Sequence, residues 1–274
     1  MARACACERG ALCSRRSALA RAGFRPATAR FAAAQARAII VGAADGRIRV
    51  LTWNVHSCIG TDRRFDPERV KSVIKVIDPD IAALQEVDSR RDLRDGFDLL
   101  GNTLGSHSAE VRTVRTPDRD YGHMLLSRWK IASWTHHDLS YARREPRSVI
   151  EAKIETKAGP VSFLAAHLGL SHGERRQQAH TIAALADADG LPTVILGDFN
   201  EPTGNGTAGR MFGRLFRSVG RHATFPSRWP FLPLDRIWFE SSLALIETGV
   251  HRETPRASDH LPLWADFRLR DGAE

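Results

Sequence analysis

Residues 193–200 read Thr-Val-Ile-Leu-Gly-Asp-Phe-Asn. Thr193 to Leu196 is a short, β-branched apolar run, the composition of a strand covered on both faces, and it stops on a glycine, an acid and an amide. The same arrangement recurs along the chain. Arg49-Val-Leu-Thr-Trp53 runs into Asn54, Ile81-Ala-Ala-Leu-Gln85 delivers Glu86, and Pro160-Val-Ser-Phe-Leu-Ala-Ala166 ends at His167. Polar groups at strand ends converge on one rim of a sheet, where α/β proteins place their sites. Singly, an Asn or Asp after a strand reads as a turn former. Five in succession, with Ser258-Asp-His260 near the end of the chain, read as a site.

Helices punctuate these runs. Asp66-Pro67-Glu68 has the form of a helix start, Asp as N-cap and Pro at the first helical position. Val70, Val73, Ile74 and Ile77 then make one apolar stripe, and Asp78-Pro79 ends it. A second helix is expected over Glu174 to Asp187, and further strands at 123–127, 148–154, 234–239 and 263–269. Strands outnumber helices and several are apolar on both faces, which suits two sheets packed together and covered by helices.

The chain of 274 residues, 42% hydrophobic and 26% charged, suits a soluble globular protein, and no apolar run approaches the roughly 18–20 residues of a membrane-spanning helix. Its formal net charge is +8, which invites a nucleic-acid reading. Residues 1–44, however, hold eight Arg, no Lys and the single acid Glu8, and so account for +7. The basicity belongs to this Arg/Ala-rich segment, which reads as a disordered tail without the apolar core of a secretory signal. One domain is expected over 45–274. Cys5, Cys7 and Cys13 lie in the tail and Cys58 stands alone in the body, so there is no disulfide framework; a reducing, cytoplasmic setting fits.

Thr52-Trp-Asn-Val-His56, Leu84-Gln-Glu-Val87, His167-Leu168, Gly197-Asp-Phe-Asn200 and Ser258-Asp-His260 occur in an order that resembles the endonuclease/exonuclease/phosphatase superfamily, the group that includes deoxyribonuclease I. The resemblance spans about residues 47–270. It implies a four-layer αββα sandwich of two mixed β-sheets flanked by helices, in agreement with the strand-rich text.

The resemblance also implies roles. Glu86 would be the main carboxylate ligand of Mg²⁺ or Mn²⁺, with Asn54 and Asp259 completing or supporting the shell; an all-oxygen set suits a hard cation. Asp198 would orient or deprotonate the attacking water, and Asn200 would hold that water or a phosphate oxygen. His260 would face the leaving group, Asp235 would fix its tautomer, and His167 would contact the phosphate. The plainer readings are a surface carboxylate for Glu86, a tight turn for 197–200, an ion pair with Arg236 for Asp235 and an interior histidine for His167. Two positions depart from the superfamily pattern. His56 stands where some nucleases carry Asp, and His123 stands where Asn is frequent; His123 could still donate to phosphate. Arg147, in Arg143-Arg-Glu-Pro-Arg147, offers a fork suited to a phosphate oxygen, or belongs to a solvated charge run.

The expected activity is therefore divalent-metal-dependent hydrolysis of a phosphodiester by in-line attack of water, performed by a monomer. A small diester or a phospholipid headgroup is favoured over duplex DNA, because the body is nearly neutral. The Phe225-Pro-Ser-Arg-Trp-Pro-Phe-Leu-Pro233 segment is apolar and stiffened by proline. It suits a pocket floor, peripheral contact with a membrane, or a packing loop. A nuclease, and a catalytically silent binding module on the same scaffold, are the alternatives.

Overall fold

A computed structural model describes residues 46–90, 95–105, 107–186, 188, 190–203 and 206–270. The expected tail, residues 1–44, and Asp187, the expected end of the second helix, lie outside them. The first half contains β1 (Arg47–Asn54), α1 (Pro67–Ile77), β2 (Ile81–Arg90), α2 (Gly96–Gly101), β3 (His107–Arg115), β4 (Arg119–Ser127) and β5 (Ile131–Asp138). The second contains β6 (Ser148–Thr156), β7 (Gly159–His167), α3 (His172–Ala186), β8 (Thr193–Asp198), α4 (Thr207–Phe212), β9 (Arg217–Ser218), β10 (Asp235–Phe239), β11 (Leu243–Val250) and β12 (Leu263–Leu269).

Two mixed six-stranded sheets result, ordered β11-β12-β1-β2-β4-β3 and β5-β6-β7-β8-β10-β9. Side-chain alternation sorts the core into layers. Ile48, Val50, Ile81, Ala83 and Leu125 from the first sheet meet Ile150, Phe163, Ala165, Leu196 and Ile237 from the second. The opposite face of the first sheet, with Leu51, Trp53 and Leu84, packs on Val70, Val73, Ile74 and Ile77 of α1 and on Phe97 and Leu100 of α2. The second sheet turns Leu164, Ala166 and Ile195 toward Ala179 and Ile182 of α3 and Phe212 of α4. The four-layer sandwich is the expected fold. Asp66 caps α1 by accepting from the Arg69 N–H at 3.0 Å, as the Asp-Pro start predicts.

Each sheet holds one parallel pair, β1–β2 and β7–β8, joined through α1 and α3, the kind of crossover that parallel strands need. Parallel strands end on the same side. Asn54 therefore pairs with Gln85, one residue before Glu86, while His167 pairs with Asp198. Antiparallel β10 starts at the same rim, with Asp235 opposite Asp198.

Gly197 is required for this register. Its φ is +155°, and a Cβ there would lie 1.9 Å from the Ala166 carbonyl oxygen of β7. Gly197→Ala should destabilise the protein by about 3 kcal/mol or more, since it adds both backbone strain and a clash with main chain. Urea unfolding measures this, and a wild-type midpoint would remove the constraint. Among the described residues no helix is long and apolar enough to cross a membrane.

Candidate active site

The strand ends bring together Asn54, Glu86, His167, Asp198, Asn200, Asp235 and His260. Asn54, 2% exposed, joins the two sheets. Its Nδ2 donates to Glu86 Oε1 at 2.8 Å and to Asp198 Oδ2 at 3.1 Å, and its Oδ1 accepts from the His56 N–H at 3.0 Å. Glu86 sits where the β2–β4 register shifts, with φ at +57°, and Asn200 has φ of +48°. Left-handed backbone at non-glycine residues is uncommon, and it falls here at two of the strand-end residues.

The Asp198 carboxylate is 1% exposed. Its Oδ1 accepts from the Asn200 N–H at 2.9 Å, and Oδ2 lies 3.8 Å from His260 Nε2. Burial raises its pKa, the His260 charge pulls it back, and the balance stands at about 6. Asp198 is thus an anion at neutral pH with a strengthened affinity for a proton.

Asp235 is fully buried. One carboxylate oxygen, Oδ2, accepts from the Thr224 hydroxyl and from His260 Nδ1, the latter at 2.9 Å. These bonds exclude the alternative pairing with Arg236, whose Nη2 donates to the Glu201 carbonyl at 3.2 Å. Neighbours along a strand point to opposite faces, which separates the two side chains. Burial lowers the His260 pKa, but the Asp235 and Asp198 charges and the Asp235 hydrogen bond outweigh it, lifting it to about 10. His260 is an imidazolium at neutral pH, with Nδ1–H held and Nε2–H aimed toward Asp198.

His167 behaves oppositely. Arg147 Nη1 donates to its Nδ1 at 3.1 Å, and a guanidinium has no acceptor. The proton of the neutral ring is therefore on Nε2, which lies 3.7 Å from Asp198 Oδ2 and 3.9 Å from Glu86 Oε1. Burial first, then the Arg147 charge, holds its pKa well below the usual histidine value. The Asn200 amide donates to the Leu168 carbonyl at 2.8 Å, its nitrogen 3.2 Å from His167 Nε2.

Arg147 is 8% exposed, so it is no part of a solvated charge run; its Nη1 also meets Glu145 Oε1 at 3.0 Å. His123 is buried beside it with Nε2 unpartnered, and burial, then Arg147, depresses its pKa to about 3. The folded state resists protonating this ring, whereas the unfolded chain protonates it near 6.5. Stability therefore falls as pH drops from 6.5 toward 3, and at pH 5 His123 contributes a loss of about 2 kcal/mol. His123→Asn should flatten the decline in urea midpoint between pH 7.5 and 5; an unchanged decline would contradict a buried neutral His123.

Asp259 is more open, its side chain 36% exposed, with Oδ1 3.3 Å from the Ser258 hydroxyl and 3.9 Å from His56 Nδ1. Ser258 ties this turn to β1 by donating to the Asn54 carbonyl at 2.7 Å. A cleft of about 450 Å³ adjoins Glu86, lined also by His56, Thr116, Arg119, Tyr121 and Glu145. Thr224, Tyr121 and Glu145 are the site residues that sequence reading does not single out. Tyr121 has a usable signal, since it lies two residues before His123 on a strand and so shares its face. Thr224 has none.

Two places could take a cation. Atoms of Asp198, Asp235 and His260 lie within 4.8 Å of one another. A histidine protonated on both nitrogens has no lone pair to offer, which disfavours that trio. Glu86 fits better. Its carboxylate faces the cleft beside an amide and a neutral histidine, and among the described residues no Lys or Arg lies within ion-pair distance of it. A half-open carboxylate that accepts one amide hydrogen bond and meets no cationic side chain suits a hard divalent ion.

Comparison with known proteins agrees with this fold. The Endonuclease/Exonuclease/phosphatase family profile matches residues 51–260. The uncharacterized protein YbhP of Escherichia coli K12 is 30% identical over 243 residues, covering 81% of this chain and 96% of YbhP. An endonuclease/exonuclease/phosphatase from Beutenbergia cavernae superposes with a TM-score of 0.68 at 20% identity, over 81% of this chain and 72% of that one. The human Nocturnin catalytic domain, solved with a bound sulfate anion, superposes at 0.66 and 20% identity, over 82% and 94%. Family profile, fold and the sequence order of the strand-end residues coincide, and the chain belongs to the endonuclease/exonuclease/phosphatase family.

Proposed function

We propose that the protein is a divalent-metal-dependent phosphoesterase that cleaves a phosphodiester by in-line attack of water. The observation that carries this reading is the contact between sheets. Asn54 bridges Glu86 to Asp198, and Asp198 in turn faces the His260 imidazolium. Membership in a family of generally hydrolytic, metal-dependent phosphoesterases supports it.

Glu86 and Asn54, with Asp259 at the edge, would hold Mg²⁺ or Mn²⁺. Such an ion supplies positive charge against the oxyanion that develops on phosphorus. Asp198 Oδ2, with its raised proton affinity, takes a proton from the attacking water. The Nε2–H of His260 donates to the phosphorane oxygens or to the departing oxygen, and Asp235 keeps that ring oriented through Nδ1. His167 Nε2–H and the Asn200 amide face the same space, and the buried Arg147 fixes the His167 tautomer that makes this donation available. Arg147 therefore acts through His167 as a positioning residue.

Cys58 takes no part. It is buried, and burial with nearby acids pushes its thiol up to about 12, far from a nucleophilic thiolate. Hydrolysis of a soluble diester in ¹⁸O-labelled water tests the reading. One labelled oxygen should appear in the phosphomonoester product and none in the alcohol. Label in the alcohol would show attack at carbon and contradict the arrangement.

A further inference from the structure

Among the described residues three large apolar side chains are more than two-thirds exposed: Trp229 at 74%, Leu170 at 73% and Phe231 at 69%. All three sit on segments that adjoin the site. Leu170 is three residues beyond His167. Trp229 and Phe231 lie in the turn whose stem holds Thr224 against Asp235 and stacks Phe225 on His260, ring centroids 4.8 Å apart.

That turn is rigidly tied down. Phe225 and Leu232 bridge, the Trp229 N–H donates to the Pro226 carbonyl at 3.1 Å, and the Ser227 N–H donates to the Asp259 carbonyl at 2.6 Å. The Ser227 hydroxyl also reaches the Pro255 and Ser258 carbonyls, both at 2.7 Å. The rings are thus displayed by a fixed ledge. Holding a tryptophan and a phenylalanine in water forfeits the free energy of burying them, unless a surface outside the molecule covers them.

Cations close to these side chains along the chain indicate which surface. Arg228, between Ser227 and Trp229, is exposed. Two residues after Leu170, α3 begins at His172, and a groove of about 420 Å³ runs between α3 and α4. His172, Arg176, His180, Arg210 and Arg214 line it, together with uncharged residues and no acid. In a body with a net charge of only +1, this is a marked segregation of positive charge. Leu215, just past Arg214, is 59% exposed. Aromatic and leucine prongs flanked by cations match the interface of an anionic bilayer, where rings enter the headgroup region and arginines meet lipid phosphates. A nucleic-acid backbone would use the cations and leave the prongs uncovered.

We propose that these prongs and the cations of the α3–α4 groove together dock the protein on a bilayer containing anionic phospholipid, so that the diester reaching the site is that of a lipid headgroup. The inference rests on the phosphoesterase reading and names its substrate class. Sedimentation of the full chain with phosphatidylcholine vesicles, with and without phosphatidylglycerol, tests it. The wild-type protein should pellet, more strongly with phosphatidylglycerol. Trp229→Ser combined with Phe231→Ser should lower the partition coefficient about 100-fold. Arg176→Glu with Arg214→Glu should remove the preference for phosphatidylglycerol. Both variants should hydrolyse soluble bis-p-nitrophenyl phosphate at the wild-type rate, which shows that they are folded.

Wild-type protein that stays in the supernatant with both vesicles would overturn the proposal. So would aromatic variants that bind normally, the result expected if the Arg-rich residues 1–44 carried the binding. Vesicle binding without hydrolysis of any soluble diester would instead sink the phosphoesterase reading and leave docking intact.

Discussion

Replacing Asp198 with asparagine should lower kcat on a soluble diester about 10³-fold and, at the same time, make the protein more stable. The first effect follows from the proton. The substituted amide would keep the hydrogen-bonding shape but could not take a proton from water, and positioned acid–base groups contribute about 10²–10⁴-fold. The second follows from burial. The Asp198 carboxyl is held near pH 6 in the folded state, above its ordinary value of 3.8. Above pH 6 its charge therefore opposes folding; the opposition fades as pH falls through 6 and is gone below about 4. Removing the charge should raise stability at pH 8 by about 1–3 kcal/mol, with little change at pH 4. A rise in unfolding midpoint alongside the lost activity identifies a functional group kept at the expense of stability. Near-normal turnover in this variant would remove Asp198 from the mechanism.

Glu86→Gln should reduce kcat/KM by about 10²–10³-fold, because it removes the carboxylate best placed to hold a divalent ion. The substituted side chain retains an oxygen for the Asn54 amide, so the strand end should keep its shape. Calorimetric titration with Mn²⁺ gives an independent readout, with a binding step in the wild type that is lost or strongly weakened in the variant. If the variant binds Mn²⁺ like the wild type, the ion is held elsewhere, and the trio of Asp198, Asp235 and His260 becomes the alternative.

Much of this architecture is legible in the sequence, and the reason lies in its buried parts. Strands covered on both faces are nearly all apolar, so the polar residue at the end of each stands out. Asn54, Glu86, His167 and Asp198 are visible for that reason. Helix α1 carries its own signals in Asp66, Pro67 and the 3-4-3 stripe. The edges are harder. β5 is an outer strand reading Ile-Ala-Ser-Trp-Thr-His-His-Asp, exposed along most of its length, with no apolar alternation to mark it. β3, the two-residue β9 and β11 likewise escape a sequence reading, and β4 begins at Arg119, four residues before its apolar core.

The electrostatics is less legible still. His260 and His167 are the same residue type at the same rim, yet one is charged and the other neutral. The difference comes from Asp235, 25 residues away from His260 in sequence, and from Arg147, 20 residues from His167. Sequence spacing holds no record of which nitrogen each partner reaches. The positive φ of Glu86 and Asn200 is likewise a product of tertiary register, imposed where the sheets meet.

Metal-dependent diester hydrolysis is tested most simply by initial rates on bis-p-nitrophenyl phosphate and p-nitrophenyl phosphate, each with Mg²⁺, with Mn²⁺ and with EDTA. The expected result is cleavage of the diester in preference to the monoester, abolished by EDTA and restored by either metal. Diester cleavage that persists undiminished in chelator, or no turnover of either ester with any metal, would contradict the proposed function.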